Sequence, residues 1–297
     1  MIEAYHIEQE RHRIAGSDAA TIIRWLASVS RRQTSDQRDR IYGIIGLFPS
    51  NLGLIPDYSA GLAEVYEKGT VGFFKHLHSP AALVMAGLQN REAFKAPSWV
   101  PHFGRWGFSP NEAKACDGGL YPPQKRSFVY NQPGRLTLYA AFIDTISWAG
   151  SCFDWRFWDA AIGPSETFWR RLLSTTVSDT TDATAMPMLD AWLYADDLDV
   201  PSQWMSELST QVTAKHGLGA VPYHSPLPGD IVAVIAKVPQ PVILRPVAHA
   251  GVNAYQLVRV CSYCEGIMYG EAVREAALAR NGNETNRDGV FQEIVLV

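Results

Sequence analysis

The sequence predicts an α+β fold in which a helical N-terminal third packs on a mostly antiparallel β C-terminal half. Apolar residues recur at helical spacing through the first third, and short β-branched runs separated by Pro and Gly occupy the last third. Helices followed by antiparallel strands are typical of an α+β domain. With 47% hydrophobic residues among 297, the chain can bury a full core, and we expect one globular unit over residues 1–297.

Two amphipathic helices are predicted in the first third. Ser17-Asp18 is a suitable N-cap for a helix that runs to about Arg32. The apolar run at 41–47 is compatible with either a buried helix or a strand. A second helix follows Ser59, and it directs five residues toward a core, namely Leu62, Val65, Tyr66, Val71 and Phe74.

The middle and the last third are predicted to contain mainly strands. Residues 135–148 begin with the period-two alternation of a half-buried strand. Helices are expected near 168–173 and from about Met188 to Val212. The last third is predicted to hold three short strands, a helix and a terminal strand, at 230–237, 241–247, 254–261, 268–280 and 290–297 respectively.

The charge and residue pattern argue against several protein classes. The 26 Lys and Arg residues and 30 Asp and Glu residues give a net charge of −4, whereas a nucleic-acid binder usually carries a basic excess, so we expect no nucleic-acid partner. The chain has no apolar run long enough for a membrane span and no apolar core of a signal peptide. Its four cysteines fit a reducing compartment. We therefore expect a cytoplasmic location.

Common metal-binding and catalytic motifs are missing from the sequence. Cys261-Ser262-Tyr263-Cys264 is a CxxC pair, but a closed zinc site needs four ligands, and neither the other cysteines nor His249 supply them at ligand spacing. We expect these two cysteines to pack as small apolar residues and expect no metal. No nucleophile elbow, P-loop or dinucleotide fingerprint occurs, so no cofactor is expected either.

The aromatic content is the least ordinary feature of the chain. Nine tryptophans are present, and Trp99 and Trp106 flank His102 and Phe103 in a Pro- and Gly-containing segment. One interpretation is core and loop packing, the usual role of large aromatic side chains. The other is an aromatic-walled pocket for a hydrophobic small molecule, which aromatic residues in loops favour. The sequence leaves both interpretations open.

Six short segments, in order, resemble elements of the fungal heterokaryon-incompatibility (HET) protein family. QTSDQRDRIYG at 33–43 is similar to the family's DPRDKVYALLGL element, and IPDYS at 55–59 followed by Val65-Tyr66 is similar to its I-PDYS…VY element. PSWVP at 97–101 resembles its LPSWVPDW element. The last three segments follow the family's GD…LRP…YVHGIMDGE order, and they are Gly229-Asp230, Leu244-Arg245-Pro246 and 266–271.

The chain also departs from the family pattern. Glu265 stands where the family usually has His, and Tyr269 stands where it usually has Asp. In the family these elements lie downstream of a TIR-like HET domain associated with cell-death signalling, whereas only residues 1–32 precede the first match here. The resemblance therefore implies a HET-like C-terminal region without that upstream half.

The resemblance implies a function in fungal secondary metabolism, where truncated HET-like proteins are recruited as cyclases, including Diels–Alder-type pericyclases. We expect a cofactor-independent cyclase that catalyses an intramolecular [4+2] reaction on a hydrophobic terpenoid or polyketide intermediate. Such a step needs a pocket that fixes a reactive conformer and a hydrogen-bond donor that polarises a carbonyl. The expected walls are Tyr58, Trp99, Phe103, Trp106, Trp148 and Trp155. The candidate donors are His102, Arg245, Tyr255 and Tyr269.

Two other functions stay open at this point. One is a non-enzymatic regulator or interaction module of a heterokaryon-incompatibility system, which would expose a protein-binding patch and have no closed apolar pocket. The other is an inactive fragment. The motif residues also have structural explanations, because Asp39 can take part in a turn, Gly270 can supply a tight backbone turn, and Arg245 can form a buried ion pair with Glu271 or Asp57.

Overall fold

Helices precede strands along the chain, and this order confirms the α+β prediction. The computed structural model describes residues 17, 19–30, 33–87, 94–103, 117, 119, 121, 126–151, 158–159, 163–164, 208–213, 217–222, 226–248, 253–261, 263–264, 267, 269–285 and 289–297. The predicted helix at 168–173 lies outside the described residues.

In the N-terminal part of the chain, the described helices are α1 (Ala19–Ser30), α2 (Asp39–Ile45) and α3 (Leu62–Leu77). Two 3-10 turns, at Pro49–Gly53 and Ala81–Met85, follow α2 and α3. The ambiguous run at 41–47 is helical through Ile45, because Ile41, Ile44 and Ile45 all turn to one buried face. The prediction for α3 is confirmed, and the helix ends before His78, whose φ of 49° is left-handed.

Eleven strands follow in the described part of the chain, with a fourth helix, α4 (Glu271–Asn281), before the last of them. The strands are β1 (Phe128–Gln132), β2 (Arg135–Ser151), β3 (Trp158–Asp159), β4 (Gly163–Pro164), β5 (Leu208–Thr213), β6 (Gly217–Pro222), β7 (Ile231–Ile235), β8 (Val242–Val247), β9 (Ala254–Val260), β10 (Tyr263–Cys264) and β11 (Gln292–Leu296). The predicted strands of the last third and the predicted helix that became α4 are all confirmed.

Five of these strands pair in a closed order, β2–β7–β8–β9–β11 and back to β2. Four of the five pairings are antiparallel, and β9 and β11 run parallel. The 17-residue β2 makes the ring possible, since its first half pairs with β11 and its middle pairs with β7. Its far end continues out of the ring and pairs with β5.

One secondary-structure prediction is wrong within the described residues. The helix expected to reach Val212 is replaced at Leu208–Thr213 by strand β5, which pairs antiparallel with both β2 and β6. The physical reason is the β-branched content of Thr210, Val212 and Thr213, which suits a pleated surface more than a helix. The rest of that predicted helix lies outside the described residues.

Strand β7 buries both of its faces, and each face belongs to a different apolar cluster. Ala233 and Ile235 of β7 join the cluster that contains the N-terminal helices. Val232 and Val234 join a second cluster, which also includes residues of α4. Because both faces are covered, β7 is an uninterrupted apolar run, IVAVI, and not an alternating one.

Cys261 and Cys264 lie in the second cluster, and both are buried. Their predicted role as small apolar residues is thereby confirmed. Among the described residues, no group of three or more His, Cys, Asp and Glu side chains is arranged to hold a metal ion. Nor does that part of the chain contain a helix with the length and apolar character needed to cross a membrane.

Candidate functional site

A surface groove of about 410 Å³ runs along α3. Five α3 residues line it, and they recur at the three- and four-residue spacing that places side chains on one helix face. These residues are Lys68, Val71, Gly72, Lys75 and His76. The 3-10 turn before α3 and strand β1 complete the lining with Leu52, Gly53, Leu54 and Tyr130. We call this the α3 groove.

The α3 groove depends on a strained turn that lies close to the helix. Asn51, Leu52 and Gly53 have φ angles of 50°, 55° and 74°, all in the left-handed region. That conformation costs a non-glycine residue about 1–2 kcal/mol. The buried Leu52 side chain holds the turn in place by packing in the main core. Gly72 permits the approach, because a side chain at that position would overlap Leu52.

The lining of the α3 groove is basic, although the whole chain carries a net charge of −4. Its nine residues include two lysines and one histidine and no Asp or Glu. Lys68 Nζ lies 2.7 Å from Glu64 Oε1, so part of its charge is compensated. Both partners of that pair are more than half exposed, so the pair itself adds little stability.

His76 lies at one end of the lining and is half-buried. Burial lowers the pKa of its imidazole, and the nearby His78 lowers it further. The imidazole is therefore neutral at pH 7, with one nitrogen that donates and one that accepts. Its ring meets Phe48 edge to face, with the ring centres 5.2 Å apart, and this contact fixes the ring against the core.

Tyr130 supplies the aromatic part of the lining. Its hydroxyl donates a hydrogen bond to Glu67 Oε1 over 3.2 Å, and the Gly134 backbone N–H donates to the same oxygen over 2.6 Å. Burial, together with the charge of Glu67, raises the pKa of Tyr130 to about 12. The phenol is therefore protonated at neutral pH, and it offers an apolar ring and a hydroxyl dipole to the groove.

The predicted wall residues lie in several different places. Trp99 and Phe103 are fully buried members of the main core, where Trp99 contacts Phe74 and Tyr130 and Phe103 contacts Tyr66 and Phe73. Neither lines the α3 groove. Trp99 and Phe103 therefore pack inward.

Trp148 and Tyr58 lie elsewhere in the described part of the chain. Trp106 and Trp155 lie outside the described residues, and Trp148 lies in β2 opposite Val212. Tyr58 is 53% exposed, and its hydroxyl donates to Asp39 Oδ1 over 2.6 Å. The structure therefore does not bring the described members of the predicted wall together at one cavity.

Two of the four predicted donors, His102 and Tyr269, lie in loops. His102 packs edge to face against Phe94, with the ring centres 4.7 Å apart, and lines a second cavity of about 10 Å³. That volume suits about one water molecule and not an organic substrate. Tyr269 is 59% exposed, and its backbone N–H donates to Glu271 Oε2 over 2.8 Å.

The remaining two predicted donors, Arg245 and Tyr255, lie on the neighbouring strands β8 and β9. Arg245 is opposite Gln256, and Tyr255 is opposite Pro246, so the two side chains point to different faces of the sheet. Tyr255 packs edge to face against Phe142. The pair therefore does not form a joint donor site.

Arg245 forms an ion pair, but the expected partners Glu271 and Asp57 are wrong. Its Nε and Nη2 donate to the two carboxylate oxygens of Asp230 over 2.8 and 2.7 Å, and Asp230 is 3% exposed. The reason is register, since β7 begins immediately after Asp230 and pairs with β8. The Asp230 carboxylate raises the pKa of Arg245 and also accepts a hydrogen bond from the Leu227 N–H.

The first two family-like segments meet in one surface cluster. Arg38 forms a two-point ion pair with Asp36 and donates to the backbone carbonyls of Tyr58 and Ala60. The Tyr42 hydroxyl donates to the carbonyl of Asp57 over 2.9 Å. These contacts fasten the turn at 55–60 to the start of α2, which gives both segments a structural role.

The third family-like segment is hydrogen-bonded to the sheet through Ser98. The Ser98 backbone N–H donates to the carbonyl of Val297 over 3.0 Å, and the Leu257 N–H donates to the Ser98 hydroxyl over 2.8 Å. Ser98 is buried and thus ties β9 and the residue after β11 together. This segment is also explained by packing.

Comparisons with known proteins give no relative. No protein-family profile matches the chain, no curated protein matches it, and no solved structure matches it.

The residues that line the α3 groove were not predicted as site residues from the sequence. One feature of the sequence could have indicated the groove, namely that Lys68, Gly72, Lys75 and His76 share one face of α3. A glycine inside a helix destabilises the helix by about 1 kcal/mol relative to alanine, so its presence usually has a packing reason.

Proposed function

We propose that this protein is a HET-like, cofactor-independent cyclase that binds a hydrophobic terpenoid or polyketide intermediate in the α3 groove and catalyses its intramolecular [4+2] cyclisation. The observation that carries the proposal is the groove itself. Its volume of about 410 Å³ falls in the range of about 300–1,000 Å³ typical of sites for organic ligands. The six family-like segments support the same function.

The proposed cyclisation needs no nucleophile, metal or cofactor from the protein. In the cyclisation, a diene and a dienophile of one molecule replace two π bonds by two σ bonds, so product and substrate have the same mass and no electron or proton is exchanged. A groove that holds the reactive conformer removes part of the entropic barrier. Each lowering of that barrier by about 1.4 kcal/mol raises the rate about tenfold.

The α3 groove combines an apolar surface with hydrogen-bond donors. Leu54, Val71 and Tyr130 provide apolar contact area for a folded chain. Lys75 and the neutral His76 can donate to a carbonyl of the dienophile, and such a bond strengthens as charge develops on the oxygen. In this assignment Lys75 and His76 are the catalytic residues.

The experiment that tests the function is deletion of the gene in its host, followed by mass spectrometry of the metabolites. We expect one product to disappear and an uncyclised precursor or an isomer of the same mass to accumulate. Purified protein should then convert that compound without an added cofactor. An unchanged metabolite profile would overturn the proposal.

A regulator or interaction module is a second candidate, and one observation favours it. Ile55 is 86% exposed and Tyr58 is 53% exposed, so the turn between α2 and α3 presents apolar side chains to solvent. If this turn is a partner-binding surface, the variant Ile55→Glu changes strain fusion and leaves the metabolite profile intact. A change in metabolites without a change in strain fusion excludes this candidate.

A further inference from the structure

The α3 groove differs from a simple apolar cleft in its charge. Its lining includes Lys68 and Lys75 and neither Asp nor Glu. Acidic residues outnumber basic ones in the chain by 30 to 26, so the absence of acids from this lining runs against the overall balance. An anionic ligand would gain more from this arrangement than a neutral one.

Of the two lysines in the lining, Lys75 has the charge that is available to a ligand. Lys68 is paired with Glu64, which compensates its ammonium. Within the part of the chain that the structure describes, no carboxylate lies at ion-pairing distance from Lys75. Glu67 is nearby in sequence, but its Oε1 is engaged by Tyr130 and Gly134, and it does not line the groove.

The groups around Lys75 define what kind of molecule fits. Val71 and Gly72, one helical turn before it, and Leu54 from the neighbouring turn form an apolar surface. His76 beside it is neutral at pH 7, so it adds a donor without adding charge. One positive group at the end of an apolar surface matches a ligand with one negative group at the end of an apolar body.

We infer that the ligand of the α3 groove is an amphipathic organic anion, with its apolar body on Leu54, Val71 and Gly72 and its anionic group, such as a carboxylate, at the Lys75 ammonium. This inference rests on the proposed function for the groove and narrows its substrate class. A terpenoid or polyketide acid belongs to this class, and its neutral ester or alcohol does not.

The test uses two fluorescent probes that share an apolar body and differ in charge. The anion 8-anilino-1-naphthalenesulfonate and the neutral N-phenyl-1-naphthylamine are titrated into the full chain at low salt. We expect the anion to bind more tightly by about fivefold or more, as one partly screened charge pair provides. We expect 1 M NaCl to reduce this preference, because the Debye length falls to about 3 Å.

A matched pair of variants locates the binding. Lys75→Met removes the charge and keeps the length of the side chain, and it should weaken the anionic probe about fivefold while leaving the neutral probe unchanged. Lys95→Met changes an exposed lysine outside the groove lining and should leave both probes unchanged. A circular dichroism melt of each variant checks that it is folded.

The other outcomes separate the two proposals. If both probes bind equally and Lys75→Met has no effect, the charge inference is overturned while the groove remains a ligand site. If the anionic probe binds more tightly but Lys75→Met does not weaken it, binding lies elsewhere and the inference is also overturned. If neither probe binds, the proposed function for the groove fails.

Discussion

Gly72 lies directly against Leu52, so close that a Cβ atom at position 72 would stand 2.8 Å from the Leu52 Cβ atom and 2.9 Å from the Leu52 carbonyl oxygen. Real Cβ atoms essentially never approach other atoms this closely, and the carbonyl belongs to the backbone of a strained turn. The contact sets one edge of the α3 groove, because both residues line it.

This contact predicts the effect of a single methyl group. Gly72→Ala gains about 1 kcal/mol of helix propensity but forces the turn away from α3, and overpacking of this kind costs about 1–3 kcal/mol. We expect a net loss in the free energy of unfolding, measured by urea denaturation. Gly43→Ala is the matched control, since Gly43 lies in α2 with nothing within 4 Å of its added Cβ atom, and it should be neutral or stabilising. Equal effects of the two changes would contradict the close contact.

The ion pair between Asp230 and Arg245 gives a second prediction. Arg245→Met leaves a carboxylate that is 3% exposed and that keeps the hydrogen bond from the Leu227 N–H, and breaking such a pair from one side costs about 3 kcal/mol. We expect this loss in the urea-derived free energy of unfolding. Lys68→Met, which breaks the exposed pair with Glu64, should cost less than about 1 kcal/mol. If Arg245→Met kept full stability, the role of Arg245 would have to be sought in function.

Burial makes Trp99 a stability determinant. The side chain is fully buried among Phe74, Tyr130 and other core residues, and Trp99→Ala should lower the free energy of unfolding by about 3–5 kcal/mol. Trp99→Phe should lose clearly less, because it retains most of the apolar volume. Differential scanning calorimetry of the two variants checks the order. A fully stable Trp99→Ala variant would place this residue in a ligand pocket and not in the core.

The half-buried His76 predicts a pH dependence of stability. Burial holds the folded-state pKa of its imidazole below the ordinary histidine value of about 6.5, so the unfolded chain binds the proton more readily. Stability is therefore fully present above about pH 6.5 and declines as the pH falls through the lowered folded-state pKa. We expect His76→Gln to flatten this part of the profile, as measured by urea denaturation between pH 8 and pH 5. An identical slope in the variant would contradict the effect of burial.

The sequence was sufficient for α3, because its apolar residues recur at helical spacing over 16 residues, and for the last-third strands, because they are β-branched runs bounded by Pro and Gly. It was not sufficient for the partner of Arg245, since several carboxylates were candidates until the register of β7 and β8 was known. The burial of Trp99 could not be predicted from the sequence either, because the packing of an irregular segment depends on strands that are distant in the sequence.

The α3 groove could not be predicted for a related reason. It forms only because residues 51–53 adopt left-handed φ angles and approach Gly72. Leu52 has little intrinsic preference for that conformation, and tertiary packing imposes it.

The most direct test of the central claim is to incubate the accumulated precursor with purified protein, without any added cofactor, and to follow its conversion by mass spectrometry. We predict formation of an isomer of unchanged mass, at a rate that Lys75→Met lowers about tenfold or more and Lys95→Met leaves unchanged. Tenfold corresponds to about 1.4 kcal/mol of lost transition-state stabilisation. Conversion by Lys75→Met at the wild-type rate would contradict the assignment of catalysis to the α3 groove, and no conversion by the wild-type protein would contradict the cyclase function itself.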